Sequence, residues 1–149
     1  MADSYSKSII VKGKVSDLYE LWAHFEDFPL FMKYIKSITL TGPNMSHWVM
    51  PGPLGKDIEW DAEITRLDEN RRIAWNSKDH SPIKTSGQVT FKDLGWDETE
   101  VTVTLRYEVP GGKVGEAMAQ LFSNPEARVE EDLRNFKAFA EAMYERTTR

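Results

Sequence analysis

Several features are missing from this chain, and each absence excludes a class of protein. The 149 residues include no cysteine, so there is no disulfide, no thiolate nucleophile and no cysteine-ligated metal site. No apolar run approaches the roughly 20 residues of a membrane span. The net charge is −5 without a cluster of lysine or arginine, which argues against nucleic acid as the main partner. The N-terminus lacks the basic start and apolar core of a signal peptide, so we expect a cytoplasmic location.

The composition that remains is that of a globular protein. Hydrophobic residues make up 40% of the chain and charged residues 29%. This length predicts one domain, residues 1–149, with a proper core. Five tryptophans and six methionines are many for such a chain. These side chains can line a large, adaptable apolar site, although they also fill ordinary cores.

The strongest periodicity lies near the C-terminus. From Glu126 to Arg146 apolar residues recur at gaps of three and four, which places them on one face of a helix. They are Val129, Leu133, Phe136, Ala140 and Met143. At about 1.5 Å per residue this helix spans roughly 30 Å, so its apolar face needs a broad partner surface. A shorter helical pattern precedes it, with a break at residues 123–125, and contains Val114, Met118, Leu121 and Phe122.

Seven segments upstream have the alternation or the turn boundaries of strands. Their predicted bounds are 4–12, 35–41, 45–50, 57–67, 72–78, 84–92 and 99–109. In the strand 57–67 apolar and acidic residues alternate, which indicates an antiparallel sheet with one buried and one wet face. Two short helices are predicted after the first strand. One covers 17–25 with Ser16 as its N-cap, and the other runs from Phe28–Pro29 to about Tyr34.

A tight turn at residues 69–70 predicts how the central strands pair. If Asp68 pairs with Arg71, apolar residues face apolar residues and opposite charges face one another. The resulting pairs are Ile64 with Trp75, Ala62 with Ser77 and Asp61 with Lys78. The fold class is therefore α+β, with a seven-stranded curled antiparallel sheet around a long C-terminal helix and two short helices after strand 1. A sheet that curls around one helix generally leaves a gap between them.

Motifs along nearly the whole chain, in order, carry a family resemblance. They include Ser8–Ile9–Ile10, Leu21–Trp22, Phe25 to Pro29, Gly52 to Lys56, Glu59 to Ile64, Ile73–Ala74–Trp75, and Asp132–Leu133 with Phe136–Lys137. Together they resemble the cyclase/dehydrase branch of the START/polyketide-cyclase-like (SRPBCC) superfamily. The resemblance implies a helix-grip fold with an apolar cavity under the long helix. Relatives include aromatase/cyclases, coenzyme Q-binding proteins and lipid carriers, so the fold alone does not define the function.

The candidate ligand pocket consists of apolar and aromatic side chains that face inward on the strands, the short helices and the C-terminal segments. It comprises Phe28, Met32, Trp48, Trp60, Ile64, Trp75, Phe91, Tyr107, Met118, Phe122, Leu133 and Phe136. Each residue by itself is an ordinary core residue. Taken together on a curled sheet, some of them must line whatever gap remains, because one helix cannot touch them all.

Candidates for catalysis are few. The resemblance implies an arginine and a serine on the long strand of aromatase/cyclases, where this chain has Ile64 and Ala62. The polar residues nearby that the alternation points inward are Ser77 and Arg66, and Tyr107 is a possible donor. Ser77 also reads as filler and Arg66 as a rim salt-bridge residue. The acids at 57–63 point outward as a solvated face, where Arg72 and Lys78 on the next strand can neutralise them. The histidines His24, His47 and His80 lack metal-ligand spacing, so we expect no metal and no cofactor.

Three functions fit these patterns. The first is binding of a hydrophobic or aromatic small molecule, such as a lipid, a quinone or a polyketide-like metabolite, in an apolar cavity. The alternative is an enzyme, a polyketide aromatase/cyclase or dehydratase. The second alternative is a protein-interaction module with a filled cavity. Few polar groups in the cavity favour binding, convergent polar groups favour the enzyme, and a filled interior favours the interaction module.

Overall fold

The computed structural model describes residues 3–52, 55–78, 84–108 and 125–148. The strands in these ranges are β1 Asp3–Lys12, β2 Ser37–Gly42, β3 Met45–Met50, β4 Ile58–Asp68, β5 Arg72–Ser77, β6 Lys84–Gly95 and β7 Glu98–Glu108. The helices are α1 Val15–Ala23, a 3-10 helix Phe25–Leu30 and α2 Pro125–Thr148. The shorter helical pattern predicted before residue 123 lies outside the described residues. No helix within them is long and apolar enough to cross a membrane.

The strands form one antiparallel sheet in the order β1-β7-β6-β5-β4-β3-β2. This arrangement confirms the predicted α+β class with its seven-stranded sheet. Helix α2 lies along β1 with four buried apolar residues, namely Val129, Leu133, Phe136 and Ala140. Two hydrogen bonds fasten α2 to this edge strand. The amide of Lys12 donates to Glu141 at 2.8 Å, and Lys137 Nζ donates to the carbonyl of Ile10 at 2.6 Å.

The central hairpin follows the predicted register over most of its length. Ala62 lies opposite Ser77 and Ile64 opposite Trp75, and the amide of Lys78 donates to the carbonyl of Asp61 at 2.8 Å. The predicted pairing therefore holds from Ala62 to Ile64, where buried Ala62 and Trp75 specify it.

Near its turn the hairpin departs from the predicted register. A bulge between Ile64 and Arg66 adds one residue to β4, so Asp68 lies opposite Arg72 in the ladder. The predicted ladder pair of Asp68 with Arg71 is wrong, although the Arg71 amide closes the turn on the Asp68 carbonyl at 2.9 Å. A bulge reverses the in–out alternation of the residues beyond it. Side chains after Ile64 consequently point to the opposite face from the one predicted.

The two short helices begin earlier than predicted. Helix α1 starts at Val15 with Lys14 as its N-cap and no side-chain cap, so the prediction of Ser16 as N-cap is wrong. The second helix is of 3-10 type and starts at Phe25 rather than at residues 28–29, with Pro29 inside it. In a 3-10 helix residues three apart eclipse one another. Phe25 and Phe28 stack in this way and are both buried, so core packing explains the earlier start.

Candidate functional site

The interior beneath α2 is dominated by aromatic rings, which we call the aromatic cluster. Its members are Trp22, Phe25, Phe28, Phe31, Trp48, Trp60, Trp75 and Phe136, all buried. Neighbouring ring centroids lie between 4.7 Å for Phe25–Phe28 and 6.3 Å for Phe25–Trp48. Each such pair contributes about 0.5–1.5 kcal/mol beyond its buried area. The cluster joins α1, the 3-10 helix, α2 and three central strands into one packed unit.

Three tryptophans on neighbouring strands form the wall of the cluster on the sheet. The ring of Trp48 stacks on Trp60 at 5.7 Å and on Trp75 at 5.8 Å. Trp75 lies opposite Gly87 on β6. A Cβ at residue 87 would lie 2.3 Å from the Trp75 ring, so only glycine lets the indole lie flat over this strand.

The indole N–H groups of the cluster differ in how they are satisfied. Trp48 donates to the hydroxyl of Ser46 at 2.8 Å, and that hydroxyl donates to the carbonyl of Ala62 at 3.4 Å. The N–H groups of Trp22 and Trp60 are buried and have no acceptor in the described part of the chain. A buried donor without a partner costs about 1–3 kcal/mol. The cluster is therefore an apolar core with two unused donors.

One acidic side chain, Asp132, is also unpartnered in this region. It lies on α2 next to buried Leu133 and four residues before Phe136. Its Oδ1 atom is buried and has no hydrogen-bond partner among the described residues. Burial, with a smaller effect from Glu131, raises its pKa to about 7 against the opposing charges of Arg128 and Lys33. At neutral pH this carboxyl can both give and take a proton.

Asp132 is not among the site residues predicted from the sequence. The signal that could have identified it is its spacing, because it lies three residues after Val129 and four before Phe136 in the buried face. An acid at that spacing borders the core. Such a residue is a candidate for function when no partner neutralises it.

Most of the predicted pocket residues come together. Buried in one core are Phe28, Met32, Trp48, Trp60, Trp75, Phe91, Leu133 and Phe136, and Ile64 packs against them. The side chain of Tyr107 and both Met118 and Phe122 lie outside the described residues. The role of the set in binding stays a prediction.

The two other catalytic candidates lie in less suitable places. Arg66 follows the β4 bulge and lies opposite Ala74, exposed on the face away from α2. Its predicted inward orientation is wrong for this reason, and its guanidinium pairs with Asp68 at 3.0 Å. Ser77 is on the inner face opposite Ala62, where its hydroxyl accepts from the Thr85 amide at 3.0 Å. This bond holds β5 to β6 and leaves the hydroxyl less free for catalysis.

The acids of β4 point outward as predicted, and one of them forms a salt bridge with a predicted partner, Lys78. His47 lies between two of them, with Nδ1 at 2.8 Å from Asp61 and Nε2 at 2.9 Å from Glu59. The hydrogen bond to Glu59, and to a smaller extent the one to Asp61, raises the pKa of His47, because both bonds need a protonated ring nitrogen. Lys78 pairs with Glu63 as predicted, and Lys36 pairs with Asp57. Arg72 forms no ion pair within the described ranges, so its predicted role as a partner of these acids is wrong.

The architecture defines the class of protein. A curled antiparallel sheet that wraps a long C-terminal helix, with two short helices after the first strand, is the helix-grip fold. Residues 11–134 match the family described as polyketide cyclase/dehydrase and lipid transport, and the chain belongs to this family. The predicted superfamily is thereby confirmed.

Similar proteins cover almost the whole chain. An uncharacterized 17.2 kDa protein of Streptomyces lincolnensis is 30% identical over 141 residues, which are 95% of this chain and 91% of that one. A crystal structure from Deinococcus radiodurans is 27% identical with a TM-score of 0.77, covering 94% and 98% of the two chains. The Zhui aromatase/cyclase of Streptomyces sp. R1128 is 16% identical with a TM-score of 0.76, covering 95% and 94%. At that identity the likeness shows the fold alone.

Proposed function

We propose that this protein binds a hydrophobic or aromatic small molecule that carries a hydrogen-bond acceptor, between the inner face of the sheet and α2. The observation that carries this proposal is the buried, unpartnered indole N–H of Trp60. A quinone or a polyketide-like metabolite has carbonyl oxygens that fit such a donor, and a lipid has ester carbonyls. The family description, which includes lipid transport, supports the same class of ligand.

Two stacked rings of the aromatic cluster differ in whether their N–H groups have an acceptor. Trp48 and Trp60 share one environment, yet only Trp48 has a partner for its N–H in the described chain. A ligand carbonyl that accepts from Trp60 removes a cost of about 1–3 kcal/mol. The apolar body of the ligand adds roughly 25 cal/mol for each Å² of apolar area taken from water. Shape and burial supply the affinity, and the donor selects ligands with an oxygen.

The test uses two ligands of nearly equal size, 1-acetylnaphthalene and 1-ethylnaphthalene. Titration followed by tryptophan quenching and calorimetry is expected to give one-to-one binding of both, with the ketone about tenfold tighter, a difference of roughly 1.4 kcal/mol. In Trp60→Phe the ring remains but the N–H is lost, so the preference for the ketone disappears. Trp96→Phe is the control, because Trp96 is 91% exposed on the β6–β7 turn.

Two outcomes would count against the proposal. Absence of saturable binding of either naphthalene favours the interaction module with a filled interior. Equal preference for the ketone in the wild type and in Trp60→Phe shows that another group recognises the oxygen. The setting we propose is the cytoplasm.

Asp132 favours an enzyme, the aromatase/cyclase or dehydratase, as a second candidate function. Cyclisation and dehydration of a poly-β-keto chain require proton transfer at carbon and oxygen, which a carboxyl with a pKa near 7 suits. Asp132→Asn keeps the size of the side chain and removes this proton transfer. Incubation with a reactive poly-β-keto chain should then give cyclised product with the wild type and none with the variant.

The two predicted polar candidates serve as controls for this test. Arg66→Ala and Ser77→Ala should retain the product and should keep ligand binding within about tenfold, since neither group is free inside the cluster. Loss of product in either variant would make that residue part of the site. If the wild type gives no product, the enzyme function is refuted and only the binding function remains.

A further inference from the structure

The outer face of the sheet, away from α2, contains a polar groove of about 230 Å³. It crosses four adjacent strands and lies on the other side of the sheet from the aromatic cluster. Its lining residues are Ser4, Ala74, Asn76, Ser86, Gly87, Gln88, Thr104 and Arg106. The function proposed above makes no use of this groove.

The register explains why a groove forms here. Ser4 lies opposite Arg106, and Ser86 lies between Arg106 and Asn76 in the same row across the sheet. Strands lie about 4.8 Å apart, so the Cα atoms of Arg106 and Asn76 are separated by roughly 10 Å. Small residues occupy the positions between the longer side chains. Ala74 and Ser86 in particular leave the floor of the groove low.

The long polar side chains around the groove have unused hydrogen-bonding capacity. Within the described ranges Asn76, Gln88 and Arg106 form neither side-chain hydrogen bonds nor ion pairs. Arg106 is the one charged side chain among the lining residues. A guanidinium presents several donors in a planar fork, and each amide offers both a donor and an acceptor.

The nearest acids on this face do not neutralise Arg106. Glu108 follows two residues later on β7 and lies opposite Lys84. Glu63 lies opposite Asn76 and pairs with Lys78 at 3.4 Å. Within the described ranges no acid forms an ion pair with the guanidinium, which lines a groove whose other lining groups are neutral.

We propose that this groove binds a small carboxylate that also bears a hydroxyl group, such as a short 2-hydroxy acid. The planar fork of Arg106 matches a carboxylate in a bidentate pair. Asn76, across the groove on β5, and Gln88, one row along on β6, supply donors and acceptors for the hydroxyl. A single arginine among neutral groups suits a monoanion, whereas a phosphate dianion calls for additional positive charge.

Amide NMR of the ¹⁵N-labelled protein tests this site with lactate, with lactamide as its neutral counterpart and with inorganic phosphate. Lactate is expected to shift the side-chain amides of Asn76 and Gln88 saturably, with a dissociation constant on the order of 1 mM. Lactamide and phosphate should bind at least tenfold more weakly. Arg106→Gln should weaken lactate binding at least tenfold, and Arg72→Gln, a change on the same face outside the groove, should leave it unaltered.

Several results would overturn the proposal. They are shifts that do not saturate by about 50 mM lactate, equal lactate affinity in Arg106→Gln, or phosphate binding as tight as lactate binding. The test is independent of the inner site. Binding of 1-acetylnaphthalene should be the same in the wild type and in Arg106→Gln, because the sheet separates the two sites.

Discussion

The contact between Gly87 and Trp75 allows a sharp prediction about the wall of the aromatic cluster. In Gly87→Ala the new methyl group would lie 2.3, 2.7 and 2.9 Å from three atoms of the indole. The neighbour is a buried ring stacked on Trp48, so it cannot move freely aside. Overpacking of this kind costs about 1–3 kcal/mol. We expect a loss of that size in the free energy of unfolding, measured by urea denaturation.

A double-mutant cycle with Trp75→Phe tests the cause of this loss. Phenylalanine lacks the part of the indole that the methyl group meets, so Gly87→Ala should cost at least 1 kcal/mol less in the Trp75→Phe background. Gly42→Ala is the matched control. Its Cβ would meet Met45 at 3.6 Å, which is ordinary van der Waals contact. A cost that is unchanged in the Trp75→Phe background would refute the steric argument.

Three further predictions concern α2 and the outer face. Phe136→Ala should destabilise the protein by about 3–5 kcal/mol because the ring is fully buried, and a cost near zero in urea denaturation would contradict this. His47 has a raised pKa, so it stabilises the fold below about pH 6.5 and the benefit is lost as the pH rises through the folded-state pKa. His47→Gln should therefore be less stable than the wild type in acid and equal to it in alkali; a pH-independent difference would contradict this. Asp132, with a pKa of about 7, favours the protonated form in the folded state, so wild-type stability should fall as the pH rises from about 4 to 7. Asp132→Asn should accordingly be more stable at pH 8, by at most about 4 kcal/mol for a pKa raised from 3.8 to about 7, and nearly equal at pH 4. Thermal melts that show the reverse would contradict the assignment.

The sequence by itself determined most of the elements and the pairing of the central hairpin. Alternation with a period of two arises from the pleat of a single strand. The sequence therefore predicted strands β4 and β5, and also the pairs Ile64–Trp75 and Ala62–Ser77 between them. The period of α2 likewise follows from helix geometry and correctly indicated Leu133 and Phe136 as buried. These features are local, and local backbone geometry repeats along the chain in a way that residue types report.

Only the tertiary structure decided how the side chains are used. The bulge after Ile64 turns Arg66 to the outer face, because a one-residue insertion reverses every later position and depends on how the turn meets the neighbouring strand. The burial of Asp132 and the missing acceptor of Trp60 depend on what packs around them from distant segments. The groove at Arg106 arises from residues on four strands whose neighbours are set by the sheet order. Such properties belong to the assembled surface, since no single segment contains the groups that create them.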